Sequence, residues 1–355
     1  MRLDDIDMLI ANIDKSNMLK ILTGFPAQCE EALEIGKRFA IPRSYFKGIN
    51  KIVFLGVGGS AIGADLIRDY LLDEIEVPIV VNRNYTLPGF VDRATLLFAC
   101  SYSGDTEETL SAYKEGIKRK SRIIALTSGG SLKEIAGKDG VPCVIIPGGL
   151  PPRGALGYSS IPILYLLSNA GLIEEKDKKI LAASRVMARM CKEELSPDID
   201  TVKNIARSIA IKIYNKIPVI YGASDHTDVA VTRWRGQIAE NSKSLASSHL
   251  FPEMNHNEIV GWEYPKGLLK ELIIILLRDA QDNPRVQKRM DITGTILKKD
   301  SGGLIEVRSR GNDLLTRLLS LIYIGDFVSF YLALLNRVDP TPVERIKYLK
   351  KELAK

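Results

Sequence analysis

Hydroxyl side chains are concentrated in one short segment of the chain, SYSGDTEET at residues 101–109. The hydroxyls belong to Ser101, Ser103, Thr106 and Thr109, with Gly104 among them. An apolar run typical of a buried strand precedes the segment, and a helical pattern follows it. A single hydroxyl at a helix start is an ordinary N-cap. Several of them predict a binding site for a phosphate dianion, because backbone N–H groups and the helix dipole favour an anion there without a lysine.

A glycine-rich segment, GVGGSAIG at residues 56–63, also joins a predicted strand to a predicted helix. Glycines allow the backbone to turn sharply, and the free N–H groups of a helix start attract anions. A dinucleotide-binding fold uses the same feature. Here, however, Ala61 occupies the position of the last glycine, and Asn82 ends the next strand where Asp or Glu is expected. The sequence therefore disfavours a nicotinamide cofactor. It also lacks the GK[ST] of a Walker loop. A tight turn that binds no ligand is the alternative interpretation of this segment.

These segments lie within a regular alternation of strands and helices. After a helical region over residues 1–50, strands are predicted at 51–57, 78–82, 95–101, 121–128 and 142–147, and helices at 61–72, 106–119 and 131–138. The strands are continuous apolar runs, which are typical of buried parallel strands. Strands that alternate with helices predict a parallel sheet covered on both faces.

The second half of the chain repeats this order. The Pro- and Gly-rich loop PGGLPPRGALGY (147–158) precedes a long helical region, which we interpret as a connection between domains. Strands are then predicted at 217–224, 270–279 and 302–309, and helices at 312–336 and 342–353. We expect an α/β fold with two similar domains, each a parallel sheet flanked by helices in three layers (αβα). The domains are expected at 1–172, with a helical N-terminal extension, and at 173–355, with a C-terminal helix.

Length, composition and charge restrict the class of protein. The 355 residues fit two domains, and 45% hydrophobic with 26% charged residues is the balance of a globular protein. The net charge of +6 comes from scattered Lys and Arg, whereas nucleic-acid binding usually needs a concentrated basic face. Apolar runs such as 272–277 are far shorter than a membrane span, and the N-terminus lacks the basic start of a signal peptide. We expect a soluble cytoplasmic protein that binds neither nucleic acid nor a membrane.

The cysteines and histidines give no sign of a metal site. Cys29, Cys100, Cys143 and Cys191 are widely spaced and form no CxxC pair. His256 and Glu258 are separated by one residue, so the HExxH pattern of a zinc helix is absent. We therefore expect neither a metal nor a disulfide framework, and four free cysteines fit a reducing compartment.

Four motifs in a fixed order resemble a known family. They are GxGGSxxG, SxSGxT, PPRxALGY and WRxQxxENSK…FPExNHNE. The strand–SxSGxT–helix unit resembles the phosphosugar-binding signature of sugar isomerase (SIS) domains. Together the motifs resemble the bifunctional phosphoglucose/phosphomannose isomerase family over nearly the whole chain. The resemblance implies two SIS-type domains and an isomerisation of glucose 6-phosphate and mannose 6-phosphate to fructose 6-phosphate. It further implies a cis-enediol intermediate and no metal or redox cofactor.

The resemblance also implies roles for individual residues. The substrate phosphate would be held by Ser60, Ser101, Ser103 and Thr106 and by the backbone of Gly59. Arg153, in PPRGALGY, would face the developing enediolate, because a guanidinium stays protonated and can pair with two oxygens. A solvated loop arginine is the alternative interpretation of Arg153.

The remaining implied roles are acid–base roles. Glu240 would move a proton between C2 and C1, provided that partial burial raises its pKa; alternatively it is a surface acid that pairs with Lys243. His256 would assist ring opening, because imidazole titrates near neutrality, whereas His226 and His249 are interpreted as structural. Lys350 would act opposite His256. Lys347 is the second choice for that lysine, and a basic helix surface is the alternative for both.

The resemblance implies a homodimer in which His256 is contributed to the neighbouring subunit's site. His256 lies in an irregular Pro- and Asn-containing segment, the kind of loop that can reach across an interface. Two other functions stay open from the residues. One is a related SIS enzyme that acts on an amino sugar or a hexulose phosphate. The other is a non-catalytic phosphosugar sensor, against which Glu240, Arg153 and His256 together argue.

Overall fold

Nine β-strands form two parallel sheets in this computed structural model, which describes residues 6–353 and 355. The first sheet contains β1 (Lys51–Leu55), β2 (Ile79–Asn82), β3 (Thr95–Cys100), β4 (Arg122–Thr127) and β5 (Cys143–Ile145), in the order β2-β1-β3-β4-β5. Every residue of β3 is buried, as its uninterrupted apolar sequence predicts. Phe54 of β1 pairs in register with Phe98 of β3, and their rings stack with centroids 5.0 Å apart.

The second sheet repeats the strand order of the first. It contains β6 (Ile217–Ala223), β7 (Ser247–Phe251), β8 (Leu272–Arg278) and β9 (Gly303–Arg308), in the order β7-β6-β8-β9, and all pairs are parallel. This order corresponds to β2-β1-β3-β4 of the first sheet. Strand β7 was not predicted, because it begins with Ser247, Ser248 and His249 and is an edge strand with little apolar burial.

Fifteen helices accompany the strands in the described part of the chain. In the first half they are α1 (Ile6–Ile13), α2 (Met18–Thr23), α3 (Phe25–Arg38), α4 (Gly59–Leu71), α5 (Glu107–Lys118), α6 (Gly130–Lys138), α7 (Leu156–Asn169) and α8 (Asp177–Met190). In the second half they are α9 (Ile205–Ile213), α10 (Asp228–Ser242), α11 (Glu258–Gly261), α12 (Lys266–Leu269), α13 (Pro284–Leu297), α14 (Leu314–Leu335) and α15 (Glu344–Leu353). Short 3₁₀ helices span Arg43–Phe46, Pro152–Gly154 and Glu253–His256, and a π-helix spans Cys191–Leu195. The prediction of an α/β fold with two parallel sheets flanked by helices is confirmed.

The chain divides into two units, one around each sheet. The N-sheet unit comprises Gly24–Val186 and Gly311–Leu318. The C-sheet unit comprises Met1–Thr23, Met187–Arg310 and Leu319–Lys355. The expected domains at 1–172 and 173–355 stay a prediction.

Helix α14 is both long and strongly apolar. By length and composition alone it could cross a membrane, with a mean hydropathy of 2.0, but the apolar part is completely buried. Buried core helices of soluble proteins have the same property. Arg317 and Asp326 interrupt the apolar sequence of this helix. The helix is therefore longer than any uninterrupted apolar run in the sequence.

The turn after β3 packs directly on the turn after β4. Gly104 has φ +80°, and a Cβ atom there would lie 1.9 Å from the carbonyl oxygen of Gly129. Gly130, with φ +66°, is equally restricted, since its Cβ would lie 2.3 Å from the carbonyl oxygen of Ser103. Glycine is therefore required on both turns, and the two turns fix each other.

Gly104→Ala should lower the free energy of unfolding by about 2–4 kcal/mol, because it adds left-handed backbone strain to a steric clash. Gly137→Ala is the matched control. Gly137 lies in α6, and a Cβ atom there would meet no atom within 4 Å. The control should be neutral or stabilising by up to about 1 kcal/mol. Urea unfolding followed by circular dichroism measures both changes, and equal midpoints would contradict this account of the turn.

Candidate active site

The hydroxyl of Ser101 organises the turn that follows β3. It donates to Thr106 Oγ1 at 2.8 Å and accepts from the backbone N–H of Gly104 at 3.1 Å. Ser101 is completely buried. Its side chain therefore shapes the turn at the start of α5 and positions the hydroxyl of Thr106.

The other hydroxyls of this segment differ in exposure. Ser103 is exposed, and its Oγ accepts from the backbone N–H of Asp105 at 3.3 Å. Thr106 is half-buried at the N-cap of α5, and its side chain accepts no hydrogen bond from the first helical turn. Thr109 is buried, and its hydroxyl has no hydrogen-bond partner among the residues described. Ser103 and Thr106 are thus the hydroxyls that a ligand at the start of α5 can reach.

Asp105 is an acidic residue inside the same turn. Its Oδ1 accepts from the backbone N–H of Ser131 at 2.9 Å and from the Ser131 hydroxyl at 2.7 Å. Ser131 lies in the first turn of α6. The carboxylate is therefore hydrogen-bonded at the start of α6, where the helix dipole favours a negative charge.

Ser60 connects the glycine-rich segment with the hydroxyl segment. It lies in the first turn of α4, and its Oγ accepts from the backbone N–H of Tyr102 at 3.0 Å. Gly58, two residues before Ser60, has φ +55°, a conformation that favours glycine. The first turns of α4 and the segment before α5 are thereby joined at their ligand-facing ends.

Gly59 brings Arg153 to the same place. A Cβ atom at Gly59 would lie 2.6 Å from the carbonyl carbon of Pro152 and 2.7 Å from the backbone nitrogen of Arg153. Only glycine permits this approach of α4 to the 3₁₀ helix Pro152–Gly154. Arg153 is 4% exposed, so the interpretation as a solvated loop arginine is wrong.

Tyr102 occupies an unspecified position of the SxSGxT motif, yet its hydrogen bonds join three segments. Its hydroxyl donates to the carbonyl oxygen of Pro147 at 2.9 Å and accepts from the N–H of Leu150 at 3.0 Å. Its carbonyl oxygen accepts from the Ser128 hydroxyl at 2.7 Å. Burial raises the pKa of Tyr102, so the phenol stays protonated and keeps its donor. A tyrosine between two serines is the only sequence signal for this role.

Gln28 holds the other side of the arginine loop. Its Nε2 donates to the carbonyl oxygen of Gly154 at 2.9 Å, and its Oε1 accepts from the N–H of Gly157 at 2.8 Å. Gln28 lies on α3, more than a hundred residues earlier in the sequence. No sequence motif marks it, and sequence reasoning missed it.

The helix that carries Glu240 is fixed by buried polar contacts within the C-sheet unit. Arg233 of α10 donates to both carboxylate oxygens of Asp326, at 2.9 and 2.7 Å. Gln237 Nε2 donates to Asp326 Oδ1 at 2.9 Å. Arg233, Gln237 and Asp326 are all buried. Asp326 was also missed, because its partners lie about ninety residues earlier in the chain.

The two residues that follow Glu240 are hydrogen-bonded to α14 as well. Asn241 Nδ2 donates to the Ser329 hydroxyl at 2.9 Å, and the Ser242 hydroxyl donates to the Ser329 carbonyl oxygen at 2.8 Å. Glu240 itself is half-buried. Lys243 ends the helix with φ +56°, and its Nζ donates to the carbonyl oxygen of Glu240 at 2.5 Å. Glu240 therefore lies on a rigid helix end.

His256 is an exposed side chain in an anchored segment. It ends the 3₁₀ helix Glu253–His256, in which Met254 is buried. Asn255 Nδ2 donates to the Thr293 hydroxyl at 2.8 Å, and the Tyr221 hydroxyl donates to Glu258. The segment is held on both sides of His256, while the His256 side chain is exposed.

The two histidines interpreted as structural and the two candidate lysines lie elsewhere in the C-sheet unit. His226 Nε2 is 3.1 Å from Asp279 Oδ1, and His249 Nδ1 accepts from the N–H of Leu250 at 2.8 Å. Lys350 and Lys347 are exposed on α15, where Lys347 Nζ is 2.8 Å from Glu344 Oε1. The structure thus brings the phosphate-binding candidates and Arg153 together in the N-sheet unit, and Glu240, His256 and Lys350 lie on three elements of the C-sheet unit.

Within residues 6–353 and 355, no group of three or more His, Cys, Asp or Glu side chains is arranged to hold a metal ion. Activity without a metal stays a prediction.

Known proteins similar to this chain carry one recurring name. A bifunctional phosphoglucose/phosphomannose isomerase of Caldicellulosiruptor bescii is 47% identical over 337 residues, which is 95% of this chain and 99% of the relative. A protein of the same name from Aquifex aeolicus is 39% identical over 311 residues, 87% of this chain and 91% of the relative. The chain belongs to the bifunctional phosphoglucose/phosphomannose isomerase family.

A family model agrees with this assignment, and a solved structure agrees with the fold. The family model "Bacterial phospho-glucose isomerase C-terminal SIS domain" matches residues 202–353, a range that includes Glu240, His256 and Lys350. The fold is similar to the C-terminal domain of glucosamine-fructose-6-phosphate aminotransferase from Francisella tularensis, with a TM-score of 0.70 and 13% identity. That similarity covers 92% of this chain and 98% of the solved chain. The resemblance inferred from four short motifs is therefore confirmed for the family.

Asp326→Asn should lower the free energy of unfolding by about 3 kcal/mol, because the buried Arg233 guanidinium loses a bidentate carboxylate partner. Glu344→Gln is the matched control, since it removes a carboxylate from the exposed pair with Lys347. The control should leave stability unchanged within error. Chemical denaturation measures both, and equal stability of the two variants would show that Asp326 does not hold α10.

Proposed function

We propose that this protein interconverts glucose 6-phosphate, mannose 6-phosphate and fructose 6-phosphate as an aldose–ketose isomerase. The observation that carries the proposal is the identity of 47% over nearly the full length of a relative that is named for both activities. The convergence of the glycine-rich, hydroxyl and arginine segments in one unit supports it. The reaction moves hydrogens within one substrate molecule, so its balance requires no redox cofactor.

The phosphate of the substrate is bound at the starts of α4 and α5. Ser103 and Thr106 supply accessible hydroxyls, the backbone of Gly59 supplies an N–H group at the start of α4, and the Ser60 hydroxyl lies beside it. Ser101 keeps Thr106 in place through its 2.8 Å hydrogen bond. The helix dipoles favour the dianion, which explains how the segment can bind phosphate without a lysine.

Arg153 stabilises the charge that develops during the reaction. When the C2 proton is removed, electron density moves onto the oxygens at C1 and C2. A guanidinium offers parallel N–H donors to two such oxygens and remains protonated throughout. The burial of Arg153 supports this role, because an electrostatic interaction away from water is stronger than one in bulk solvent.

Glu240 transfers the proton between C2 and C1. As a carboxylate it takes the C2 proton of the open-chain aldose. The electron pair of the C–H bond forms the C1–C2 double bond, the π pair of the aldehyde moves onto the C1 oxygen, and the proton of the C2 hydroxyl passes to that oxygen. C1 then takes the proton back from Glu240 while the C2 oxygen forms the ketone. The rigid helix end on which Glu240 lies supports this role, because proton transfer needs a base within hydrogen-bond reach.

His256 and Lys350 assist the opening of the sugar ring. Opening requires a proton to leave the C1 hydroxyl and a proton to reach the ring oxygen, and imidazole and ammonium groups can exchange protons in these steps. Lys347 is the alternative to Lys350. We also propose that the enzyme works in the cytoplasm, without a metal, and as a homodimer in which His256 serves the site of the neighbouring subunit. The exposure of His256 supports the last point.

Replacing both Ser103 and Thr106 with Ala should raise KM for both aldose phosphates by roughly a hundredfold or more. Each lost hydrogen bond to the charged phosphate contributes about 1.5–3 kcal/mol. Thr295→Ala is the control, because it removes an exposed hydroxyl from α13. Steady-state kinetics measures the effect, and an unchanged KM in the double variant would move the phosphate site elsewhere.

Glu240→Gln should reduce kcat by several orders of magnitude with little change in substrate binding, since the amide is nearly isosteric but cannot accept the proton. Glu175→Gln, at an exposed position of the N-sheet unit, controls for the loss of a carboxylate. Single-turnover kinetics together with a binding measurement separates the two effects. Retention of most activity in Glu240→Gln would exclude this residue as the base.

Mixing the inactive variants Glu240→Gln and His256→Ala tests the shared histidine. After unfolding and refolding together, heterodimers should contain one site with both residues intact, and about a quarter of the wild-type activity should return. If His256 serves its own chain, every heterodimer site lacks one residue. Proven heterodimers without recovered activity would therefore reject the shared site while leaving the isomerase assignment in place.

A further inference from the structure

Lys243 adopts a backbone conformation that lysine rarely takes. It directly follows α10, and its φ of +56° and ψ of +29° lie in the left-handed region. A Cβ atom makes this region unfavourable, and glycine is the residue that most often ends a helix in this way. Because the backbone of this position favours glycine, any gain from a lysine must come from its side chain.

The Lys243 ammonium group binds main-chain oxygens of two segments. Its Nζ donates to the carbonyl oxygen of Glu240 at 2.5 Å and to that of Pro340 at 3.2 Å. The carbonyl group of Glu240 lies in the last turn of α10, where carbonyl groups lack N–H partners within the helix. The negative end of the helix dipole also favours a cation there. One charged group therefore caps the end of α10 and ties it to a segment that is distant in sequence.

Asn336 makes a second connection between the same parts of the chain. Its Nδ2 donates to the carbonyl oxygen of Ser242 and to the Ser244 hydroxyl, each at 2.8 Å. Asn336 directly follows α14, and Pro340 lies in the connection between α14 and α15. The end of the helix that carries Glu240 is therefore held against the segment that leads to the proposed ring-opening lysine.

Lys120 has the same conformation without these contacts. It follows the end of α5 with φ +58°, and its backbone N–H donates to the carbonyl oxygen of Ile117 at 3.0 Å. Both lysines are exposed. Within residues 6–353 and 355, however, the Lys120 side chain makes no hydrogen bond. The bonds to Glu240 and Pro340 therefore distinguish Lys243 from a lysine of equal exposure and equal backbone strain.

We propose that Lys243 is a positioning residue for Glu240, and that its ammonium group keeps the end of α10 in the place that proton transfer requires. The inference rests on the proposed role of Glu240 as the base. Lys243 acts through the main chain of Glu240, whereas the substrate phosphate is bound at the starts of α4 and α5. A shift of about 1 Å in a reacting group can reduce the rate about a hundredfold. Loss of the ammonium group should therefore lower kcat and leave substrate affinity nearly unchanged.

Lys243→Gly separates activity from stability in the full-length protein. Because glycine relieves the left-handed strain, the thermal midpoint should stay the same or rise. For both aldose phosphates, kcat should fall about ten- to a hundredfold while KM changes by less than about twofold. Lys120→Gly is the matched control, and it should show the same stability effect with wild-type kcat and KM. Lys243→Arg keeps a cationic donor and should recover part of the lost kcat, whereas Lys243→Met should not. Steady-state kinetics and scanning calorimetry measure these changes.

The outcomes separate the positioning role from a merely structural one and from the isomerase activity. A fall in kcat at unchanged KM and undiminished stability, with partial recovery in the arginine variant, supports the positioning role. Wild-type kcat in Lys243→Gly overturns this role and leaves the isomerase proposal standing. A fall in kcat that accompanies a lower thermal midpoint, or that also occurs in Lys120→Gly, overturns it too, because it reports a general effect on folding. A wild-type protein that converts neither sugar overturns both proposals.

Discussion

The close approach of Gly59 to the peptide between Pro152 and Arg153 is the constraint on which the candidate site depends. A single Cβ atom would prevent it. Through this approach a helix start, where an anion is favoured, and a buried guanidinium, which carries a positive charge, come together in one unit. Tyr102 and Gln28 hold the arginine segment from two sides through four hydrogen bonds. The geometry therefore exists before any substrate binds, as efficient electrostatic stabilisation requires.

The C-sheet unit adds a second physical means to the same end. Its helix α10 also makes a close glycine contact, since a Cβ atom at Gly325 of α14 would lie 2.3 Å from Trp234 Nε1, but a buried ion pair and amide and hydroxyl bonds hold it as well. A buried ion pair contributes little net stability, because desolvation offsets the attraction between the charges. It does, however, penalise any shift of the helix that would leave one charge unpaired. Such specificity suits an element that has to keep one carboxylate, Glu240, in a fixed place.

Much of this architecture could be predicted from the sequence. The features that could not be predicted share a physical reason. The apolar runs of β1, β3 and β8 and the small residues that follow β1 and β3 identify parallel strands and ligand-binding turns directly. Strand β7 could not be predicted, because it is an edge strand and its first residues, Ser247, Ser248 and His249, carry no apolar signal. The hydrogen bonds of Tyr102, Gln28 and Asp326 could not be predicted, because their partners are distant in sequence. The residue types alone do not show which tyrosine, glutamine or aspartate makes such bonds. Periodicity reports which face is buried, not which distant atoms meet.

We propose that this chain isomerises both aldose 6-phosphates by proton transfer without a metal. The most direct measurement is NMR of glucose 6-phosphate and, separately, mannose 6-phosphate with the purified protein in the presence of EDTA. We expect fructose 6-phosphate to form from each sugar until equilibrium is reached. Absence of conversion of both sugars, or conversion only after a divalent metal is restored, would contradict it.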